Sequence, residues 1–295
     1  MSIAEVPIRF RPMVTEDLIH AHELSRAVGW PHRLQDWQWI HQVSQGIVAE
    51  NAHGILGTAL CCLQGDYISL GLVIVDVRRQ GLVDQVLNDA SPRTPLLVAT
   101  PQRAPLYASQ GFITYEHIHQ HQTASAPALP HHELPVGHTL HEITSQHFHQ
   151  LSELASSATG MNRGLVLAAL LKISQYVIGI ERDRQQVGFA LLRPFGRGLA
   201  IGPAVAESAE QAKVLIVALL SRVAGQFVRL DVTHSSGLSN WSTDIGIPQM
   251  DKVAQMVKGS PPIPLGNALQ MALANKPCAN SVSVLPDRIR GDQAD

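Results

Sequence analysis

Two short apolar segments recur in this chain at one fixed distance. Gly57-Thr58-Ala59-Leu60 aligns with Gly188-Phe189-Ala190-Leu191, and Leu70-Gly71-Leu72-Val73 aligns with Ile201-Gly202-Pro203-Ala204. Gly57 to Gly188 and Gly71 to Gly202 are both steps of 131 residues. A shift that survives from one segment to the next implies that one supersecondary unit has been duplicated. Further matches follow at slightly larger shifts: Val98-Ala99-Thr100 with Asp231-Val232-Thr233, and the Tyr107-to-Gly111 stretch with Ser242-to-Gly246. The opening elements of the first copy recur as a strand over 139–143 and helices over 146–157 and 163–173. With 295 residues, 45% of them hydrophobic, the chain can bury two cores.

In the first copy, residues 68–75 form an apolar run rich in β-branched side chains, which predicts a buried strand. Arg78-Arg79-Gln80-Gly81 follows, and Leu82, Val83, Val86 and Leu87 then have helical spacing. A strand that turns through Arg and Gly into a helix aims backbone N–H groups at one spot, where an anion can sit. This stretch resembles the acyl-CoA pyrophosphate loop of the GCN5-related N-acetyltransferases (GNAT family), whose pattern is Q/R-x-x-G-x-G/A. Arg78, Gly81 and Val83 occupy its three fixed positions, Val83 standing where the family has Gly or Ala. The spacing between the strand and Arg78 is also shorter than is usual in the family.

The resemblance implies an α/β fold of two tandem GNAT-like domains, each a mixed, mostly antiparallel sheet flanked by helices. It implies that acetyl-CoA or another acyl-CoA serves as co-substrate. The pantetheine arm would lie beside Leu72, Val73 and Val75, with the pyrophosphate over Arg78, Arg79, Gln80, Gly81, Leu82 and Val83. It also marks Leu106-Tyr107 before Gly111-Phe112 as a family ending, whose tyrosine often protonates the departing thiolate. A phenol of pKa about 10 stays protonated at neutral pH and can do this; Tyr107 reads equally as a packing residue at a helix end. Glu50 and Asp66 are candidates for a base that deprotonates an amine, and also read as surface carboxylates.

Elsewhere in the first copy, a strand ending at Pro12 precedes a helix capped by Thr15. Three tryptophans fall close together, at Trp30, Trp37 and Trp39; Trp30 and Trp37 are candidates to line an acceptor pocket, or pack as core aromatics. A hairpin is expected around Asn51-Ala52-His53-Gly54. The domains expected are 1–118, a linker over 119–137 rich in Pro, Ala and His, and 138–295 with a tail. In the second copy Gly202-Pro203 through Glu207 replaces the arginine-rich turn, Glu207-Ser208 caps a long apolar helix, and Ser242 stands where the first copy has Tyr107. A short helix is expected over 266–274, and frayed residues after it.

Net charge is −2 with histidine neutral, which gives no electrostatic footprint for nucleic acid. No apolar run is long enough to span a bilayer, and residues 1–11 lack a signal-peptide core, so no membrane partner is expected. Three cysteines, two of them adjacent, fit a reducing cytoplasm better than a disulfide framework. The histidines of 117–138 have no accompanying ligands at metal-site spacing, so no metal is expected. The function expected is CoA-dependent N-acyl transfer to the amine of a small molecule, by direct attack. The alternative is a degenerate tandem-GNAT protein that binds acyl-CoA, a metabolite or a protein partner without catalysis. The oligomeric state is left open, a homodimer included.

Overall fold

The computed structural model describes residues 7–75, 81–89, 91–272 and 283–284. Two compact units are present: one comprises Met1–Val98 with the segment holding residues 283–284, and the other comprises Ala99–Pro277.

Among the described residues, the first copy runs β1 (Arg9–Pro12), a 3-10 turn (Thr15–Asp17), α1 (Leu18–Ala27), α2 (Leu34–Gln42), β2 (Ser44–Asn51), β3 (Gly54–Gln64), β4 (Tyr67–Val75), α3 (Gly81–Asp89), β5 (Thr94–Ala99), α4 (Ala104–Ser109) and β6 (Ile113–Thr123). The second copy repeats this order: β7 (His138–Glu142), a 3-10 turn (Ser145–His147), α5 (Phe148–Thr159), α6 (Gly164–Ile173), β8 (Tyr176–Arg182), β9 (Gln185–Phe195), β10 (Gly198–Ala206), α7 (Ala209–Leu220), β11 (Val228–Thr233), α8 (Leu238–Asp244) and β12 (Gln249–Val257). Two strands follow, β13 (Leu269–Ala272) and β14 (Ser283–Val284).

In the first unit β1 to β4 pair antiparallel in sequence order, and β4 pairs parallel with β5. The β2–β3 connection is the expected hairpin: Asn51 Oδ1 accepts from the His53 N–H at 2.8 Å, and Gly54 takes φ +131°, which favours glycine. The helix start is made differently from expectation. The carboxylate that accepts the Val14 N–H, at 2.8 Å, belongs to Asp17, not to Thr15. Arg11 holds that carboxylate in place at 2.7 and 2.8 Å, so strand β1 and the helix entry share one ion pair.

The second unit has β7 to β10 in antiparallel order and β10 parallel to β11. Its α7 is apolar nearly all round, and Val214, Leu215, Ile216 and Leu219 are all buried with the sheet residues Ile180, Ala190, Leu192 and Ile201. Each such aliphatic side chain contributes about 1.5–3 kcal/mol by leaving water.

One strand has changed place. β6, the last element of the first copy, lies between β11 and β12 of the second and pairs antiparallel with both. Residues 119–123, expected as the start of the linker, continue this strand. Their histidines serve its packing: His121 is buried, with its ring nitrogens on the Ile247 carbonyl (2.8 Å) and the Ser239 hydroxyl (3.0 Å). His119 bonds Gln249 (2.7 Å) and His234 (3.1 Å).

The helix expected over 266–274 is instead strand β13. Leu269 and Gln270 keep contact with the surface while Met271 and Ala272 are buried, and backbone partners on β10 and β11 decide the conformation against a helix-forming composition.

Candidate donor site

Strand β4 bends away from β5 because of one extra residue. Leu60 lies opposite Gly71 while Thr58 lies opposite Ile74, so the β3–β4 ladder slips by one at Leu72 and Val73. This is a β-bulge. Leu72 carries the distortion, at φ +48°, a left-handed conformation that costs a non-glycine residue on the order of 1–2 kcal/mol. Two contacts hold it there. The Leu72 side chain is buried, and the Thr58 hydroxyl donates to the Leu72 carbonyl at 2.8 Å. Parallel pairing with β5 covers Tyr67, Ile68 and Ser69 and then stops. Beyond Ser69 the two strands part, and the backbone edge of β4 is left to find other partners.

α3 starts at Gly81, beyond the end of β4. A Cβ on Gly81 would stand 3.5 Å from the Phe10 ring, ordinary contact, so space alone does not demand glycine there. Leu82 is fully buried beneath the helix and Val83 is half-buried. Val75 is described by its backbone only. Arg78, Arg79 and Gln80 lie outside the described residues.

The second copy builds the same bulge. Ile201 faces Leu192 and Ala204 faces Ala190, so the slip falls at Gly202 and Pro203, 131 residues after Gly71 and Leu72. Here glycine absorbs the distortion at φ +139°. Parallel pairing of β10 with β11 covers Leu199, Ala200 and Ile201 and then stops, as in the first copy. The opening is closed by β13, which pairs antiparallel with Ala204, Val205 and Ala206 on one side and meets Val232 on the other. Met271 and Ala272 are part of the core of this unit.

The helix entry of the second copy is also occupied. Ser208 Oγ accepts from the Gln211 N–H at 3.2 Å, and the Glu207 N–H donates to Gln211 Oε1 at 2.8 Å. The Glu207 carboxylate, paired with Arg182 at 2.6 and 3.2 Å, stands at the turn where a phosphate would need a cation.

Residues 151–271 match the acetyltransferase (GNAT) domain family. The matched stretch lies in the second copy. It is 27% identical over 237 residues to the uncharacterized N-acetyltransferase YitH of Bacillus subtilis (strain 168), an alignment spanning 74% of this chain and 83% of YitH. The fold is similar to that of a putative acetyltransferase from Pyrococcus horikoshii, with TM-score 0.67 and 16% identity over 86% of this chain and 90% of that one. It is also similar to a tandem GNAT protein from the clavulanic acid biosynthesis pathway, with TM-score 0.59 and 13% identity over 86% of this chain and 99% of that one. These likenesses support a GNAT acetyltransferase domain in this chain.

The remaining residues marked in the sequence fall in different settings. Glu50 is bound by Arg11 at 2.9 and 2.8 Å, the same guanidinium that holds Asp17, so its carboxylate is engaged as an ion-pair partner. Asp66 sits in the β3–β4 turn, before Tyr67, while the bulge is at Leu72. Six residues of strand separate them by roughly 20 Å, which takes Asp66 out of reach of a group reacting at the bulge. Trp37 is a core residue, fully buried with its indole N–H on Ser25 Oγ at 3.2 Å. Trp30 is half-buried, edge-on to the His32 ring at 5.7 Å. Tyr107 is buried in the second unit, edge-on to Phe112 at 5.7 Å; burial pushes its phenol well above the ordinary range and keeps the proton on oxygen.

In the first unit a cavity of about 410 Å³ lies between α3 and the β2–β3 ladder, with Met13, His41, Gln45, Cys61, Val86 and Asp89 among its walls. Burial, with neighbouring Cys62, pushes the Cys61 thiol up to about 11, so it stays protonated and is unsuited to carrying an acyl group as a thioester. Sequence reasoning missed the Thr58–Leu72 clamp. A glycine inside an apolar strand, Gly71, was the available signal for a bulge.

Among the described residues, no group of three or more His, Cys, Asp or Glu could hold a metal ion. No described helix is long and apolar enough to cross a membrane.

Proposed function

We propose that the first copy is the donor site, that it binds acetyl-CoA or a related acyl-CoA, and that the acyl group passes to the amine of a small molecule. The observation that supports this copy over the other is the contrast in the openings. The second copy's opening is sewn shut on both sides by β13, and its helix entry carries Glu207. In the first copy the bulge at Leu72 opens β4, and sequence positions 78–83 supply two arginines and a glycine. On this reading the pantetheine arm lies along Leu72, Val73 and Val75. Backbone N–H groups there polarise the thioester carbonyl as the amine attacks. The pyrophosphate lies over Arg78, Arg79, Gln80, Gly81, Leu82 and Val83. The C–N bond forms as the C–S bond breaks; the proton lost by the amine nitrogen passes to solvent water, the thiolate takes a proton from Tyr107, and water returns a proton to the phenolate.

A second reading, ligand binding without transfer, is favoured by one observation. Neither carboxylate marked in the sequence is placed to serve as a base, since Glu50 is paired with Arg11 and Asp66 lies at the far end of β4. CoA release with a panel of amines distinguishes the two readings.

The donor assignment is tested by acetyl-CoA binding to Arg78→Glu, measured by calorimetry beside Glu207→Gln. Reversing charge against a phosphate is expected to raise Kd about ten- to a hundredfold. Glu207→Gln, in the closed copy, is expected to leave Kd unchanged. The opposite pattern overturns the assignment.

A further inference from the structure

Glu116 on β6 and Gln255 on β12 are register partners, so their side chains leave the sheet on one face. Thr233 of β11 lies opposite Ile118, two residues on from Glu116, and shares that face. Over it, within the second unit, lies a cavity of about 180 Å³ with all three side chains in its walls. The C-terminal turn of α5 forms another wall through Ala158 and Thr159, and β13 a further one through Leu269 and Gln270. The segment after β12 covers the cavity and is fixed to that turn. The Leu265 N–H donates to the Ser157 carbonyl at 2.8 Å, and a Cβ on Gly160, at φ +68°, would collide with the Ile263 backbone.

Gln255 is only 6% exposed, yet its carboxamide has no hydrogen-bond partner among the described residues. A buried amide without a partner is costly, and in a native protein it calls for an explanation. Glu116 is held beside it by backbone donors. The His117 N–H bonds Oε1 at 2.7 Å and the Ser235 N–H bonds Oε2 at 3.3 Å, and each oxygen keeps a further acceptor position. None of the described wall residues carries a positive charge, and the end of α5 adds the negative pole of a helix dipole. Met161, Pro262 and Pro264 supply apolar surface. The cavity thus offers acceptors and a negative potential beside an apolar wall, the complement of a small alkylammonium ion. A ligand bearing a carboxylate would meet Glu116 with no cation to offset it.

We propose that the second copy is a receptor for a small primary amine, bound as its ammonium between Glu116 and Gln255. The ammonium donates to the Glu116 carboxylate and to Gln255 Oε1, and its alkyl stem lies against Met161 and the prolines of the cover. The charged form is the one held, since an alkylamine of pKa about 10 is protonated at neutral pH. β13 holds the β10 edge at Ala204, Val205 and Ala206, where an acyl donor would have to lie, so the site binds without transfer. The inference concerns the second copy alone and does not rest on the donor reading of the first.

The test uses the full chain with n-butylamine as probe, and n-butanol and butyrate as controls of the same length. Binding is followed by calorimetry and by the Gln255 side-chain amide signals in NMR spectra, assigned by their loss in Gln255→Leu. Butylamine is expected to bind saturably and to move those signals, butanol to bind at least about tenfold more weakly, and butyrate not to bind. Glu116→Gln removes the charge while keeping an acceptor for the Ser235 N–H, and is expected to raise the Kd for butylamine about tenfold or more. Gln255→Leu is expected to raise it severalfold with no fall in melting temperature, because no hydrogen bond is lost within the protein. The two variants lie on different strands, so one decides should the other fail to fold. Equal binding of butylamine and butanol overturns the proposal, as does the absence of saturable butylamine binding. Butylamine binding that neither variant weakens overturns it too, because the amine then sits elsewhere, the first copy included.

Discussion

The two copies share a bulge, a splay and a connecting order, and part company over what fills the splay. In the second, Gly202 takes up the bulge without a side chain to strain, and β13 is built into the core. In the first, a non-glycine residue, Leu72, is held left-handed by a threonine hydroxyl, and the described partner at Ile74 and Val75 is β14. The positive φ falls on Leu72 in the first copy and one place earlier, on Gly202, in the second, and strain held on a non-glycine residue is a lead to function. On the donor reading proposed above, the copy with the closed opening serves as scaffold; its sheet is where β6 of the first copy pairs with β11 and β12.

The contrast is tested first at β13, which is built into the second copy's core. Ala272 is fully buried between β10 and β11, so Ala272→Asp leaves a charge without a partner in a dry site. A loss of about 3–5 kcal/mol is expected, read as a melting temperature lower by roughly 10 °C. A variant as stable as the parent would mean that β13 is no part of the second copy's core.

Tyr107→Phe comes next in size. The second copy has Ser242 at this place, its hydroxyl donating to the Leu238 carbonyl inside α8 at 2.8 Å, in a helix-packing role. If Tyr107 is instead the proton donor, losing one O–H lowers turnover about ten- to a thousandfold. Acyl-CoA binding and melting stay put, since the hydroxyl matters as charge develops on sulfur. A melting temperature that falls in step with the rate assigns Tyr107 to packing on Phe112.

Thr58→Val probes the bulge itself. Thr58 is matched, 131 residues on, by Phe189, which has no hydroxyl and stands beside a bulge that glycine has relaxed. Removing the hydroxyl leaves the buried Leu72 carbonyl one donor short, for a loss of about 1–2 kcal/mol. Acyl-CoA affinity is expected to weaken severalfold, because the strained turn of β4 is no longer fixed. Unchanged binding at reduced stability would mean that the clamp serves folding only.

Much of this architecture is legible in the sequence, and the illegible parts share one cause. The shift of 131, the strand–turn–helix of 68–87 and the hairpin at Asn51 depend on neighbours within a few residues, or on a pattern copied whole. β13 looks helical because Leu269-Gln270-Met271-Ala272 favours helix until β10 and β11 provide partners from far along the chain. The exchange of β6 is likewise a choice among distant edges. Glu50 reads as a free carboxylate because its partner, Arg11, is 39 residues away. Trp37 reads as a pocket residue until its indole is found on Ser25. Asp66 is a plausible base only while the direction of β4 is unknown.

The smallest expected effect concerns the entry to the first helix, where the copies use different chemistry for one junction. By strand register Arg11 corresponds to His141, and Asp17 lies as far beyond Arg11 as His147 lies beyond His141. The first copy joins the pair by ionic hydrogen bonds at 2.7 and 2.8 Å, the second by two imidazole rings 5.5 Å apart. The Arg11 guanidinium holds the Asp17 carboxyl below its ordinary range; burial opposes the shift, and the Val14 N–H adds to it. A carboxylate whose folded pKa is depressed contributes fully above its unfolded value, about 3.9, and the contribution is lost as pH falls from there through the folded pKa. Asp17→Asn keeps the acceptor for Val14 and removes the charge. The variant is expected to be about 1 kcal/mol less stable than the parent between pH 5 and 7. The gap should close as pH falls below about 4, because the parent then loses the same interaction. Urea unfolding of both chains across that range measures it. A gap that persists at low pH means that Asp17 acts by shape and hydrogen bonding, and that its charge is no part of what distinguishes the first copy's helix entry from the second's.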